Sequence, residues 1–181
     1  PSMDAVETAC EVSEEEKRLL RDQAAPIVLV RRRDDCRLPE ELAPGNPWLG
    51  VFLPYSPLHH VLLNLLGGAV VMTSGNLSDE PICIDNDEAV ARLGKIADGF
   101  LMHDRDIERA VDDSVVRVMA GREMVMRRSR GYAPAPVVLG AELRPVLALG
   151  GDLKNTVCVA SGDRAFLSQH HGDLETAVSH E

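Results

Sequence analysis

The residues best suited to bind phosphate lie in the segment Thr73-Ser74-Gly75-Asn76, directly after an apolar run. Two hydroxyls and one amide supply hydrogen-bond donors and acceptors, and the glycine lets a ligand approach the backbone closely. Ligands of α/β proteins bind at the carboxyl ends of strands, where this segment is predicted to lie. It therefore predicts a phosphate cradle, although Ser, Gly and Asn also form plain turns without a ligand.

A second candidate group combines charges of both signs. Arg128 and Arg130 follow a predicted strand, and guanidinium groups bind phosphate oxygens through paired hydrogen bonds. The acidic pair Asp112-Asp113, followed by Ser114, could hold Mg²⁺ through water or pair with these arginines. Each of these segments also has a structural interpretation, as the solvated end or the terminus of a strand.

The histidines and cysteines show no metal-binding spacing. His59 and His60 are neighbours in a predicted helix, so their side chains point about 100° apart and cannot chelate one ion. His59, together with the preceding Tyr55, could face a ligand, but a histidine on a helix surface is equally consistent. Because no C-x-x-C pair occurs, we predict reduced thiols for all four cysteines and no metal site in this chain.

A further glycine turn, Gly150-Gly151, precedes Lys154 and Asn155 near the end of the chain. Such a turn can wrap a nucleotide phosphate, or it can simply join two strands. The segment lacks the G-x-x-x-x-G-K-S/T spacing and the helix that follows it, which excludes a P-loop.

The elements that must position these residues alternate between helix and strand up to about residue 127, which predicts an α/β domain with a mixed sheet. A proline-rich stretch then precedes short strands separated by tight turns. We predict helices over 13–23, 58–66 and 85–96, and strands over 27–30, 69–72, 100–102, 114–119, 123–127, 146–149, 156–160 and 165–168.

Composition narrows the function classes. The chain has 181 residues and a formal net charge of −10, which argues against a protein that coats nucleic acid. No apolar run approaches the roughly 18 residues of a membrane span, and no secretory signal is visible. We expect a cytoplasmic protein without a membrane partner.

Taken in order, the motifs resemble one family, the hydrogenase-maturation carbamoyltransferases (HypF). The resemblance extends from about residue 26 to the end of the chain, and the combination of motifs is highly specific although each alone is weak. It rests on residues 50–60, 71–82, 97–105, 112–117, 127–134, 153–156 and 166–175.

The resemblance implies a YrdC-like domain with helices and a mixed twisted sheet over 1–133, expected to lack its N-terminal part, a linker over 134–144, and the opening strands of an actin/Hsp70/sugar-kinase-like transferase domain over 145–181. The chain is then expected to be part of a longer protein. That protein would also contain an acylphosphatase-like module and zinc fingers, so zinc is expected only outside this chain.

The family's chemistry implies ATP and Mg²⁺ as cofactors and carbamoyl phosphate as substrate. The YrdC-like domain forms carbamoyl-adenylate, and the transferase domain passes the carbamoyl group to the C-terminal cysteine of HypE, for the cyanide ligands of [NiFe]-hydrogenase. This chemistry requires no nucleophilic residue of this chain, and we assign none.

Roles carried over by motif divide into three groups. Phosphate binding falls to the hydroxyl and amide turn and to two arginines, with an acid and a serine shaping the pocket wall. An aromatic residue and a histidine face the carbamoyl end, and two residues border the nucleotide site of the second domain. The phosphate-binding turn is Thr73, Ser74 and Asn76, the two arginines are Arg128 and Arg130, and the pocket wall is Asp113 and Ser114. The carbamoyl end is faced by Tyr55 and His59, and the second nucleotide site is bordered by Lys154 and Asn155.

Two alternatives remain open. One is a YrdC-type threonylcarbamoyl-adenylate synthase for tRNA modification, which would share the Ser-x-Asn turn. The other is a nucleotide-binding or double-stranded-RNA-binding module without catalysis, which the negative charge disfavours.

Overall fold

The computed structural model describes residues 2–78, 80–151 and 155–171. The chain forms two compact units. The first unit comprises Pro1–Val71 and Asp113–Tyr132, and the second unit comprises Met72–Asp112 and Ala133–Glu181. Among the described residues, no helix combines the length and apolar character that crossing a bilayer requires.

Three helices of the first unit begin at serine caps. They are α1 (Met3–Ala9), α2 (Glu14–Leu20) and α3 (Pro57–Leu66). In α2 the predicted capping box is present, because the Ser13 hydroxyl accepts from the Glu16 N–H while the Glu16 carboxylate accepts from the Ser13 N–H. Helix α3 starts at a proline and ends at Gly67, whose φ of 70° suits a left-handed C-cap.

The sheet of the first unit is mixed, as predicted. The central strand β2 pairs antiparallel with β1 and β3 and parallel with β4, and β4 pairs antiparallel with β5. A tight turn at Gly121, with φ of 72°, joins the last two strands. The strands are β1 (Cys10–Glu11), β2 (Ile27–Arg32), β3 (Trp48–Val51), β4 (Val115–Met119) and β5 (Arg122–Arg127).

Helices α1 and α2 contribute to one apolar cluster with this sheet. Alternate residues of β2 and β4, Val28, Val30 and Val116, are fully buried and pack with Leu19 and Leu20 of α2. The alternation follows from the period-2 geometry of strands, which sends every second side chain to the same face. This core fixes the position of β2 and β4, and Asp113 and Ser114 directly precede β4.

The second unit contains helix α4 (Asn86–Leu93) and a hairpin of β6 (Val137–Leu149) and β7 (Val157–Leu167). Asp85 caps α4, as predicted, by accepting from the N–H groups of Asp87 and Glu88. The hairpin is antiparallel, and its pairing shifts register along β6.

Several predicted elements are wrong. Segments 69–72 and 100–102, both described, form no strand, and their apolar side chains are largely exposed, with Val71 at 76% and Leu101 at 73%. An apolar run forms a strand only if a neighbouring strand pairs with it, and neither of these two segments is paired. The three short strands predicted after residue 145 are two long ones, because pairing continues through the turn predicted at Gly162.

Candidate functional site

The first unit brings four of the predicted site residues together around Arg130. Its Nε donates to Asp113 Oδ1 at 2.7 Å, and its guanidinium carbon lies 3.7 Å from the ring centroid of Tyr55. The backbones of Asp113 and Arg130 also form a parallel bridge. Among the interpretations of the acidic pair, pairing with an arginine is the one that the structure shows for Asp113.

Ser114, which is buried, connects the segment before β4 to the segment after β5 by hydrogen bonds. Its buried hydroxyl accepts from the Ser129 N–H at 2.7 Å and donates to the Arg130 carbonyl at 2.9 Å. The Ser114 carbonyl in turn accepts from the Ile27 N–H at 2.8 Å. The hydroxyl thus satisfies buried backbone groups instead of facing a ligand.

Tyr55 and His59 form the aromatic side of the group. Their ring centroids lie 4.5 Å apart in a T-shaped arrangement. Burial raises the pKa of the Tyr55 phenol, which Asp113 raises further, and burial lowers the pKa of His59, so its imidazole is neutral at pH 7. His59 Nδ1 is buried and has no hydrogen-bond partner among the described residues, so the histidine beside Tyr55 carries an unsatisfied polar atom.

Arg128 lies in the same segment. Its Nη2 donates to the Tyr132 carbonyl at 2.8 Å, and the Tyr132 hydroxyl donates to Glu123 on β5. Burial and the Glu123 carboxylate together raise the pKa of Tyr132. These contacts fold the chain after β5 back onto the strand and hold Arg128 near the Arg130 group.

The Thr73–Asn76 segment belongs to the second unit and forms a turn. Asn76 Nδ2 donates to the carbonyls of Leu77 and Glu80 at 2.8 and 3.0 Å, and the Gly75 carbonyl accepts from Cys83 N–H. Asn76 Oδ1 is buried without a partner, and within the described ranges the hydroxyls of Thr73 and Ser74 make no hydrogen bond. Within the described residues, the turn therefore leaves the Asn76 Oδ1 and the two hydroxyls unused by the protein.

The predicted nucleotide site after β6 is described only in part. Lys154 lies outside the described residues. Asn155 Nδ2 donates to the Gly151 carbonyl at 2.6 Å, and its own carbonyl accepts from the His171 N–H. Also in the second unit, His170 Nδ1 lies 3.5 Å from Asp112 Oδ2.

Sequence reasoning missed the backbone carbonyls that accept from the terminal nitrogens of Arg130. The carbonyls of Ala24 and Ala25 accept from its Nη1 and Nη2, at 3.3 and 2.9 Å. Gly131, with φ of 87°, lets the backbone pass so close to Ala24 that a Cβ would lie 2.7 Å from its Cα. The sequence signal for this close approach was Gly131 itself, because glycine readily adopts the positive φ that other residues avoid.

Among residues 2–78, 80–151 and 155–171, no three metal-ligating side chains cluster. Because Asp113 is already bonded to Arg130, the described part of the chain offers no protein cage for a divalent ion.

Two family models match the chain. Residues 1–129 match the Sua5/YciO/YrdC model, whose description is "Telomere recombination", and residues 141–181 match the model described as "HypF Kae1-like domain". The gap between the two matches contains the end of the first unit and the start of β6.

Curated relatives cover most of the chain. It is 52% identical over 167 residues to a carbamoyltransferase HypF of Synechocystis sp., and 52% identical over 165 residues to that of Rhodobacter capsulatus. A probable carbamoyltransferase HypF of Methanocaldococcus jannaschii is 38% identical over 169 residues. These alignments cover 92%, 90% and 92% of this chain, whereas the chain spans only 22% of each relative.

Solved structures agree with this assignment. Full-length HypF in its phosphate- and nucleotide-bound form matches with a TM-score of 0.91 and 46% identity, covering 99% of this chain and 28% of that one. The HypF of T. kodakarensis matches with a TM-score of 0.90 and 37% identity, covering 98% of this chain and 23% of that one. The chain therefore belongs to the HypF carbamoyltransferase family and joins a Sua5/YciO/YrdC-type region to a HypF Kae1-like segment.

Proposed function

We propose that this chain provides the carbamoyl-activating part of a carbamoyltransferase, which joins a carbamoyl group to AMP. The observation that carries the proposal is its similarity to relatives named carbamoyltransferase HypF, two of them 52% identical. The Arg130 group and the Asn76 turn add donors and acceptors of the kind that phosphate and carbamoyl groups require.

The proposed reaction balances in two steps. Carbamoyl phosphate loses its phosphate to water as orthophosphate, and an oxygen of the resulting carbamate attacks the α-phosphorus of ATP. The bond to the β-phosphate breaks, pyrophosphate leaves, and carbamoyl-adenylate remains. Charge builds on the phosphoryl oxygens during the attack, so donors already in place lower the barrier.

Each unit has its own proposed part. In the second unit, the Thr73 and Ser74 hydroxyls, which make no hydrogen bond within the described ranges, donate to nucleotide phosphate, and Asn76 Oδ1, which can only accept, contacts a hydrogen-bond donor of the ligand. In the first unit, Arg128 supplies positive charge for phosphate, and His59 Nδ1, with Tyr55 beside it, contacts the carbamoyl group.

Mg²⁺ is proposed to arrive with ATP. The described residues offer no cluster of three ligands, and Mg²⁺ commonly binds through substrate phosphates with retained waters. When bound, the ion would neutralise phosphate charge.

We further propose the C-terminal cysteine of HypE as the final carbamoyl acceptor, with the thiolate sulfur displacing AMP. Asn155 and Lys154 are proposed as the border of a second nucleotide site.

The test is isotope exchange between pyrophosphate and ATP in the full natural protein containing these residues. Exchange should depend on carbamoyl phosphate or on added carbamate. Replacement of Asn76 by alanine should lower it about 100-fold, since loss of one such contact typically costs about 10²–10³ in rate. The matched control is Asn64→Ala, on the exposed side of α3, which should retain full exchange.

The match of residues 1–129 to the Sua5/YciO/YrdC model favours one second candidate, threonylcarbamoyl-adenylate synthesis for tRNA modification. Exchange driven by threonine and bicarbonate, but not by carbamoyl phosphate or carbamate, would establish that candidate and exclude the first. Absence of exchange with either set of substrates would contradict adenylate formation altogether.

A further inference from the structure

Groups of the protein itself hold the side chain of Arg130, which is 28% exposed. Asp113 accepts from Nε, and the carbonyls of Ala24 and Ala25 accept from the two terminal nitrogens. The ring of Tyr55 covers one face of the guanidinium at 3.7 Å. Each of the three nitrogens thus makes a hydrogen bond within the first unit, and one face is stacked.

The backbone around this side chain is shaped to receive it. Ala25, which is 8% exposed, adopts a φ of 44°, and Gly131 adopts a φ of 87° against Ala24. The Arg130 carbonyl is also held, by the Ser114 hydroxyl. A non-glycine residue with positive φ persists only where its surroundings fix it, which indicates that the turn and the arginine are ordered together.

We propose that Arg130 is a positioning residue, which joins Asp113, the Ala24–Ala25 turn and Tyr55 into one rigid group and thereby orients Tyr55 and His59, instead of binding phosphate itself. This differs from the role that the family resemblance implies for Arg130. The inference rests on the proposed function only for its kinetic consequence, because the geometry stands without it.

The orienting effect passes through the tyrosine ring. Arg130 fixes one face of that ring, and the ring centroid in turn lies 4.5 Å from that of the His59 imidazole and 6.0 Å from that of Phe52. A lysine would keep the positive charge but lacks the planar fork that reaches three acceptors at once. Arg130→Lys therefore separates the positioning role from charge alone.

The geometric test uses NMR of the 181-residue chain without ligand, nitrogen-15 for the Arg130 side chain and aromatic carbon-13 for the Tyr55 ring. The Arg130 Nε–H signal, identified by its loss in Arg130→Lys, should exchange slowly with water at pH 7.5. Asp113→Asn should speed this exchange, and Arg130→Lys should shift the ring signals of Tyr55. A rapidly exchanging Nε–H, or Tyr55 signals that stay unchanged in Arg130→Lys, would overturn the proposal whatever reaction the protein catalyses.

The kinetic test separates the two roles through KM. In Arg130→Lys, the KM for the carbamoyl donor should rise about tenfold, as expected for loss of a desolvated cation–ring contact. The KM for ATP should stay within about twofold. Arg122→Lys, at the exposed start of β5, is the matched control and should change neither value. A tenfold rise for ATP with an unchanged value for the donor would identify Arg130 as a phosphate ligand and overturn the proposal.

Failure of the proposed function has a different signature. If the unaltered protein shows no exchange with any carbamoyl donor, the proposed reaction is wrong, and the Nε–H and Tyr55 signals alone then decide the positioning role.

Discussion

The Arg130 group of the first unit and the Asn76 turn of the second unit both use backbone carbonyls to hold a polar side chain, but over very different distances in sequence. Arg130 donates to carbonyls 106 and 105 residues away, at Ala24 and Ala25. Asn76 donates to carbonyls 1 and 4 residues away. The first arrangement exists only when the sheet is formed, whereas the second is a property of the local segment.

This difference separates the consequences of mutation. Changes in the Arg130 group should weaken the cooperative fold of the first unit, because its contacts connect the residue pair before β4, the turn between α2 and β2, and the segment after β5. Changes in the local turns and caps of the second unit should leave the first unit intact.

Gly131→Ala should have the largest effect on stability. Its new Cβ would lie 2.7 Å from the Ala24 Cα, and still closer to the Ala24 oxygen, at a φ of 87°. Strain and overpacking together should cost about 3 kcal/mol of unfolding free energy, measured by urea denaturation. Gly45→Ala is the matched control, because it has a φ of 67° with no atom within 4 Å and should cost only about 1 kcal/mol. Equal losses in both variants would show that the close approach to Ala24 is unimportant.

Ser114→Ala should come next. It leaves the buried Ser129 N–H and the Arg130 carbonyl without their partner, a loss of about 2 kcal/mol by the same denaturation measurement. Ser129→Ala provides the contrast, since the Ser129 hydroxyl is fully buried and has no partner among the described residues. Its removal should be neutral or stabilising. A larger loss for Ser129→Ala than for Ser114→Ala would contradict this assignment of the hydrogen bonds.

Asp85→Ala should have a smaller and local effect in the second unit. It removes the acceptor for the Asp87 and Glu88 N–H groups at the start of α4, which costs about 1 kcal/mol. Hydrogen exchange should speed up within α4 and stay unchanged in β2 and β4. Asp85→Asn, which also caps helices, should restore the protection. Faster exchange in the β2 core would show that the two units do not respond separately.

The smallest effect should be a pH dependence that comes from His59. Burial lowers its pKa in the folded protein below the ordinary value of 6.5, so the unfolded chain binds the proton first as the pH falls. Its contribution to stability is therefore complete above about pH 6.5 and decreases as the pH drops below that value. In His59→Gln, the loss of unfolding free energy between pH 7.5 and 5.5 should be smaller, whereas the exposed control His60→Gln should follow the unaltered chain. An identical loss in both variants would exclude His59 as the source.

The contrast between local and distant contacts also explains what the sequence could predict. The Ser13 and Asp85 caps, the Pro57 start of α3 and the Gly121 turn depend on neighbouring residues, and the structure confirms all four. The mixed sheet followed from the alternation of elements. Strands at 69–72 and 100–102 were predicted from apolar runs alone and are wrong, because a strand needs a partner that no local pattern specifies.

The site shows the same limit. Residue types and motif spacing were enough to single out Asp113, Ser114, Arg128 and Arg130. They could not show that Asp113 pairs with Arg130, or that carbonyls of two alanines more than 100 residues away complete the group. Alanine carries no functional side chain, so only the folded backbone reveals the acceptors.

Direct detection of the adenylate tests the central proposal most simply. The full natural protein containing these residues would be mixed with ATP labelled at the α-phosphorus, Mg²⁺ and carbamoyl phosphate, then quenched with acid-free solvent and separated by chromatography. We predict labelled carbamoyl-adenylate together with an equal amount of unlabelled pyrophosphate, formed only when a carbamoyl donor is present. Labelled ADP in their place, or an adenylate that forms only with threonine and bicarbonate, would contradict the account.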